Sequence, residues 1–120
     1  CGYPDRLDNP EYPKADHGVY HDLVEALDGK IDALSIEDCH CKNDLSLFEK
    51  FKKTTAIVGF VDVAMSKIET VEEITERMNF VLQALPPDRL IAAPDCGLGF
   101  LGSDLTTAKL TALCEAAQKV

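Results

Sequence analysis

The chain has 120 residues, enough for one ordinary domain. Hydrophobic residues make up 46% and charged residues 28%, so a folded core is expected and disorder is not. The net charge of −9 argues against a nucleic-acid ligand, and no apolar run approaches the roughly 20 residues that cross a bilayer.

No basic, apolar leader opens the chain, which points to a cytoplasmic, reducing setting. The first residue is Cys1 and not Met, so a processed product or a fragment is expected. The five cysteines are an odd count in a core-rich chain, which favours burial, metal or chemistry over a disulfide framework.

Residues 1–15 hold three prolines and no periodicity and read as a loop, leaving 16–120 as the folded part of a single partial domain. Val19, Tyr20, Leu23, Val24 and Leu27 share one helical face, and Gly29 stops that helix. Residues 31–36 form a short strand. A helix follows from Asn43, an acceptable N-cap, through Leu45, Leu47, Phe48 and Phe51. Residues 55–61 are apolar on both faces, as in a buried parallel strand. Thr70 and Glu73 make a capping box for a helix striped by Val71, Ile74, Met78, Val81, Leu82 and Leu85, ended by Pro86-Pro87. Residues 89–93 are a third strand. Ser103 or Asp104 caps a last helix with Leu105, Ala108, Ala112, Leu113 and Ala116 on one side.

The order is α-βα-βα-βα, with strands ending near 37, 62 and 94. Right-handed crossovers lay such strands parallel. Three strands cannot close a barrel, which takes about 250 residues. A thin three-stranded α/β sandwich is the alternative. The expected fold is α/β, the C-terminal portion of a TIM-type (β/α)8 barrel with about three βα units.

In barrels the active site gathers at the C-terminal strand ends. Here these carry Glu37-Asp38-Cys39-His40-Cys41, then Asp62 with Ser66 and Lys67, then Asp95-Cys96-Gly97. Carboxylate, imidazole and thiol donors converging on one rim suit zinc. Alternation along an extended segment would put Cys39 and Cys41 on one side and turn His40 away. Loop packing competes evenly with metal binding for these three, and Glu37 could simply cap a loop amide. His17 and His21 are one helical turn apart, a spacing that can bind metal, but read better as surface histidines. Cys114 reads as a buried core thiol.

Leu90-Ile91-Ala92-Ala93-Pro94-Asp95-Cys96-Gly97-Leu98 resembles the NPDCGL signature of the cobalamin-independent methionine synthases. Pro86-Pro87-Asp88-Arg89-Leu90 resembles that family's P-x-x-R-L lead-in, and Leu34-Ser35-Ile36-Glu37 its strand ending in IE. Val71-Glu72-Glu73-Ile74 fits the helix after the next strand. The resemblance covers roughly residues 18–118. It implies a (β/α)8 barrel of the superfamily shared with uroporphyrinogen decarboxylase, and a Zn²⁺ site built from a His-x-Cys pair, a glutamate and a late cysteine. Glu37 takes the glutamate position and Cys96 the late cysteine. The His-x-Cys pair is expected just before Cys1, with Cys1 itself the weaker alternative.

The activity so implied is transfer of a methyl or alkyl group to a small-molecule thiol. Related epoxyalkane–coenzyme M transferases attack an epoxide instead. One departure stands out. The family's DIHSP motif, whose histidine handles a proton, is matched by Asp62-Val63-Ala64-Met65-Ser66, with Ala64 at the histidine. Asp62 and His40 are therefore the candidate catalytic residues, His40 as a substitute acid–base group. The expected partners are the thiol, the alkyl donor and the remainder of the barrel, or a second copy, with neither nucleic acid nor membrane. Alone, the chain is expected to be inactive and prone to associate, and a non-catalytic binding module is the contrasting reading.

Overall fold

Residues 55–61 are apolar on both faces, and they form the central strand of a three-stranded parallel sheet. The computed structural model describes residues 6–9 and 18–120. Along them run α1 (Gly18–Leu27), β1 (Ala33–Ile36), α2 (Leu45–Phe48), β2 (Thr55–Val61), α3 (Val71–Val81), a 3-10 turn (Pro87–Arg89), β3 (Leu90–Pro94) and α4 (Ser103–Ala117). The sheet order is β1-β2-β3. Ala33 pairs with Thr55 and Ile36 with Val58 on one side, and Ala56 pairs with Leu90 on the other. The register slips between Gly59 and Val61, where a bulge lets Val61 face Pro94.

The core lies on one face of this sheet. Ile36, Ala56, Val58 and Phe60 pack with Leu47, Phe48 and Phe51, with Ile74, Met78 and Val81 of α3, and with Ala112, Leu113 and Ala116 of α4. Each large side chain buried there contributes roughly 1.5–3 kcal/mol. On the opposite face Ala33, Ser35 and Ile91 are exposed, Ile91 by 48%. A parallel sheet is normally covered on both faces. Here one face and the outer edges of β1 and β3 carry no partner among the described residues.

Local rules account for most boundaries. Gly29 takes φ 74° just past α1, a conformation a Cβ disfavours. The Thr70–Glu73 capping box is fully formed. Two caps differ from expectation. Asp44, not Asn43, caps α2, accepting from Leu47 N at 3.2 Å. Gly102 precedes α4 without a side-chain cap, so neither Ser103 nor Asp104 serves. α2 is also a single turn. After Phe48 the bonds tighten to Lys50 N–Leu47 O and Phe51 N–Phe48 O, a 3-10 pattern that ends the helix while still burying Phe51.

Candidate functional site

Because the three strands are parallel, Glu37, Asp62 and Asp95-Cys96 leave the sheet at the same end. Asp95 organises that end. Its own N–H donates to Val61 O at 2.9 Å, extending the β2–β3 pairing past Pro94, which has no N–H to give. Its carboxylate then reaches across β2 to the loop after β1. Oδ1 accepts from Asp38 N and Cys39 N, both at 2.9 Å. Oδ2 accepts from His40 N at 3.1 Å and stands 2.7 Å from His40 Nδ1. Three successive backbone N–H groups converging on one anion form a nest.

His40 lies between two carboxylates, its other ring nitrogen, Nε2, being 3.4 Å from Glu37 Oε2. Its side chain is only 7% exposed. The expected alternation fails here, because residues 39–41 form a turn and not an extended segment. The imidazole therefore points inward. Cys39 and Cys41 acquire separate partners: Cys41 Sγ donates to Glu37 O and accepts from Asn43 Nδ2, whereas Cys39 Sγ faces Glu69 Oε1.

The loop is tied from below as well. Asp38, fully buried, binds Arg77 in a fork, Nε to Oδ2 at 2.7 Å and Nη2 to Oδ1 at 2.8 Å. Arg77 also stacks 4.5 Å from the Phe80 ring centre. Asp38 accepts from Asn43 N at 2.9 Å, so Asn43 closes the loop where a cap was expected. Lys42 takes φ 53° within it.

Burial, followed by the charges of Asp95 and Glu69, pushes the Cys39 thiol up to about 12. Burial and Asp38 push Cys41 to about 11. Neither is a thiolate at neutral pH without a metal. Tyr20 is raised to about 12, by burial first and then by Glu37, Cys41 and Asp95. Its place on the apolar stripe of α1 hid that it borders the site.

Glu37 and Cys96 are each half-buried at the ends of the two outer strands, about two strand spacings or roughly 10 Å apart along the sheet. Among the described residues no group of three or more His, Cys, Asp or Glu side chains is arranged to hold a metal ion. Cys1 and His17 lie outside the described residues, and His21 is 3.9 Å from Asp44. Cys114 is exposed, because its position on α4 turns it away from the stripe of Ala112, Leu113 and Ala116. The buried polar residue of that stripe is Lys109, which binds both oxygens of Glu69 and the carbonyl of Lys67.

Asp62 is held by the same network, its N–H donating to Glu69 Oε1 at 3.0 Å and its Oδ1 accepting from Ala64 N at 2.7 Å. It lines a cavity of about 480 Å³ with Cys39, Phe60, Met65, Ile74 and Phe80. Ser66 leaves the site for Asp8, whereas Lys67, paired with Glu73, stays on the cavity wall.

Residues 15–119 match the family described as "Cobalamin-independent synthase, Catalytic domain". The chain belongs to that family. The chain is similar to a probable 5-methyltetrahydropteroyltriglutamate–homocysteine methyltransferase of Schizosaccharomyces pombe, 31% identical over 107 residues that are 88% of this chain and 14% of that protein. A 2-hydroxypropyl-CoM lyase of Xanthobacter autotrophicus is 31% identical over 100 residues, 78% of this chain and 27% of the lyase. Among solved structures, a B12-independent methionine synthase from Shewanella sp. W3-18-1, in complex with selenomethionine, superposes with a TM-score of 0.74 at 30% identity over 84% of this chain and 29% of its own. The βα units thus match part of a TIM-type barrel fold, that of the methionine synthase structure. The chain spans less than a third of each of these proteins. No helix among the described residues is long and apolar enough to cross a membrane.

Proposed function

We propose that this chain is the C-terminal part of a zinc-dependent barrel that transfers a methyl group to a thiol, with Glu37 and Cys96 as two of the zinc donors. The observation that supports it best is the pairing of a carboxylate and a thiol at the ends of parallel strands, joined through Asp95 and His40. A carboxylate and a thiolate are both donors that zinc accepts. Zinc held there would lower the pKa of a substrate thiol so that it reacts as thiolate. The remaining donors are a His-x-Cys pair from the rest of the barrel, whose strands would also pair with β1 and β3.

His40 and Asp62 are the candidate acid–base residues. His40 stands with its ring nitrogens 2.7 Å from Asp95 Oδ2 and 3.4 Å from Glu37 Oε2, and Asp62 opens onto the cavity beside α3. The substrate sulfur gives up its proton to His40 or Asp62 and forms the bond to carbon as the bond from that carbon to the donor breaks, and the proton passes to the donor atom that leaves.

The second reading is epoxide–thiol transfer. The resemblance to the CoM lyase and the replacement of the family's proton-handling histidine by Ala64 favour it. Assaying the intact protein with thiols against a methyltetrahydropteroylglutamate donor and against an epoxide separates the two. A Cys96→Ala variant that retained full zinc occupancy would overturn both.

A further inference from the structure

We propose that Asp95 is a positioning residue whose carboxylate sets where Glu37 stands relative to Cys96. This rests on the reading of Glu37 and Cys96 as zinc donors. The two sit on β1 and β3, which pair with β2 and not with each other, so no strand ladder relates them. Asp95 supplies the missing link. It is covalently next to Cys96, and it grips the three backbone N–H groups that follow Glu37, at 2.9, 2.9 and 3.1 Å.

A second path runs from Asp95 Oδ2 to His40 Nδ1 at 2.7 Å, and from His40 Nε2 to Glu37 Oε2 at 3.4 Å. Asp95 itself cannot drift. Its N–H is bonded to Val61 O, and its carboxylate lies directly on Gly59, where only a missing Cβ leaves room. Three backbone donors aim at its two oxygens. An asparagine in the same place must turn its amide hydrogens toward at least one of those donors, so charge and shape are both needed. Metal donors must be held to within about 0.5 Å, and losing such a supporting contact typically costs 10–100-fold in metal affinity.

The test uses the intact protein, with zinc affinity measured by chelator competition and the visible spectrum recorded after cobalt loading. Melting of the metal-free protein reports folding. Asp95→Asn should weaken zinc about 10–100-fold and move the cobalt bands while the metal-free protein still melts in one transition. His40→Asn, whose amide can still donate to Asp95, should lose less. If Asp95→Asn fails to fold, Asp95→Glu takes its place, with the same loss expected from one extra methylene. Zinc affinity within twofold of the parent and an unmoved cobalt spectrum would overturn the positioning role, as would a His40→Asn loss larger than that of Asp95→Asn. Cys96→Ser is the independent arm: if it binds zinc as tightly as the parent, the donor assignment itself falls.

Discussion

Gly59 and Asp95 are packed backbone to backbone. A Cβ built on Gly59 would stand 2.1 Å from Asp95 Oδ1, 2.6 Å from its Cα and 2.9 Å from its N. Two of those three atoms are main chain and cannot swing aside. Gly59→Ala should therefore push β3 away from β2 and destabilise the intact protein by about 3 kcal/mol, at the upper end of typical overpacking costs. Equilibrium unfolding in urea measures this. A loss below about 0.5 kcal/mol would mean that the bulge yields, and the close approach would not be a constraint.

Arg77 and Asp38 form a buried ion pair, Asp38 fully inaccessible and Arg77 13% exposed in its side chain. Removing one partner of such a pair leaves an uncompensated charge, at a cost of about 3–5 kcal/mol. Arg77→Ala should show that loss. Arg77→Lys keeps the charge but not the fork, and should show a smaller one. Equal losses for the two substitutions would mean that a bare positive charge restores nothing, so that only the guanidinium, through its fork and its stacking on Phe80, stabilises Asp38.

Lys109 and Glu69 form a second buried pair at 2.9 Å. Lys109→Met should destabilise by about 3–5 kcal/mol, because Glu69 keeps its charge. Adding Glu69→Gln should restore part of that, since the amide oxygen can still accept from Asp62 N. A double-mutant cycle gives the coupling. Strict additivity of the two losses would show that the pair is not coupled.

The thiols make stability fall in alkali. Burial first, then nearby carboxylates, raises Cys39 to about 12 and Cys41 to about 11 from 9.0. Above pH 9 the unfolded chain loses these protons while the folded protein keeps them, so the folded state binds more protons and stability falls as pH rises. The contribution is whole below pH 9 and gone above the folded values. Tyr20, raised from 10.0 to about 12 chiefly by burial, adds to the same slope. Urea midpoints measured from pH 8 upward should decline, and replacing Cys39 with Ser should flatten the decline. In the native protein, iodoacetamide should modify exposed Cys114 well before Cys39. Equal alkylation rates would contradict the burial of Cys39.

What the amino-acid sequence decided by itself is what neighbours in the chain decide. The doubly apolar run of β2, the Thr70–Glu73 box and the left-handed Gly29 are local devices, and each appears where expected. The βα rhythm carried the parallel sheet, and the Asp95-Cys96-Gly97-Leu98 element carried the family. The tertiary structure decided everything that depends on a distant partner. Asn43 became a loop brace and Asp44 the cap because Asp38, held by Arg77, claims Asn43. His40 turned inward because Asp95 takes three consecutive amides and bends residues 38–40 out of the extended form on which the alternation argument relied. Lys109 is buried and Cys114 exposed because Glu69 lies under one side of α4 and not the other. A charge survives burial only where another chain segment supplies its partner, and that partner is not readable from the residues beside it.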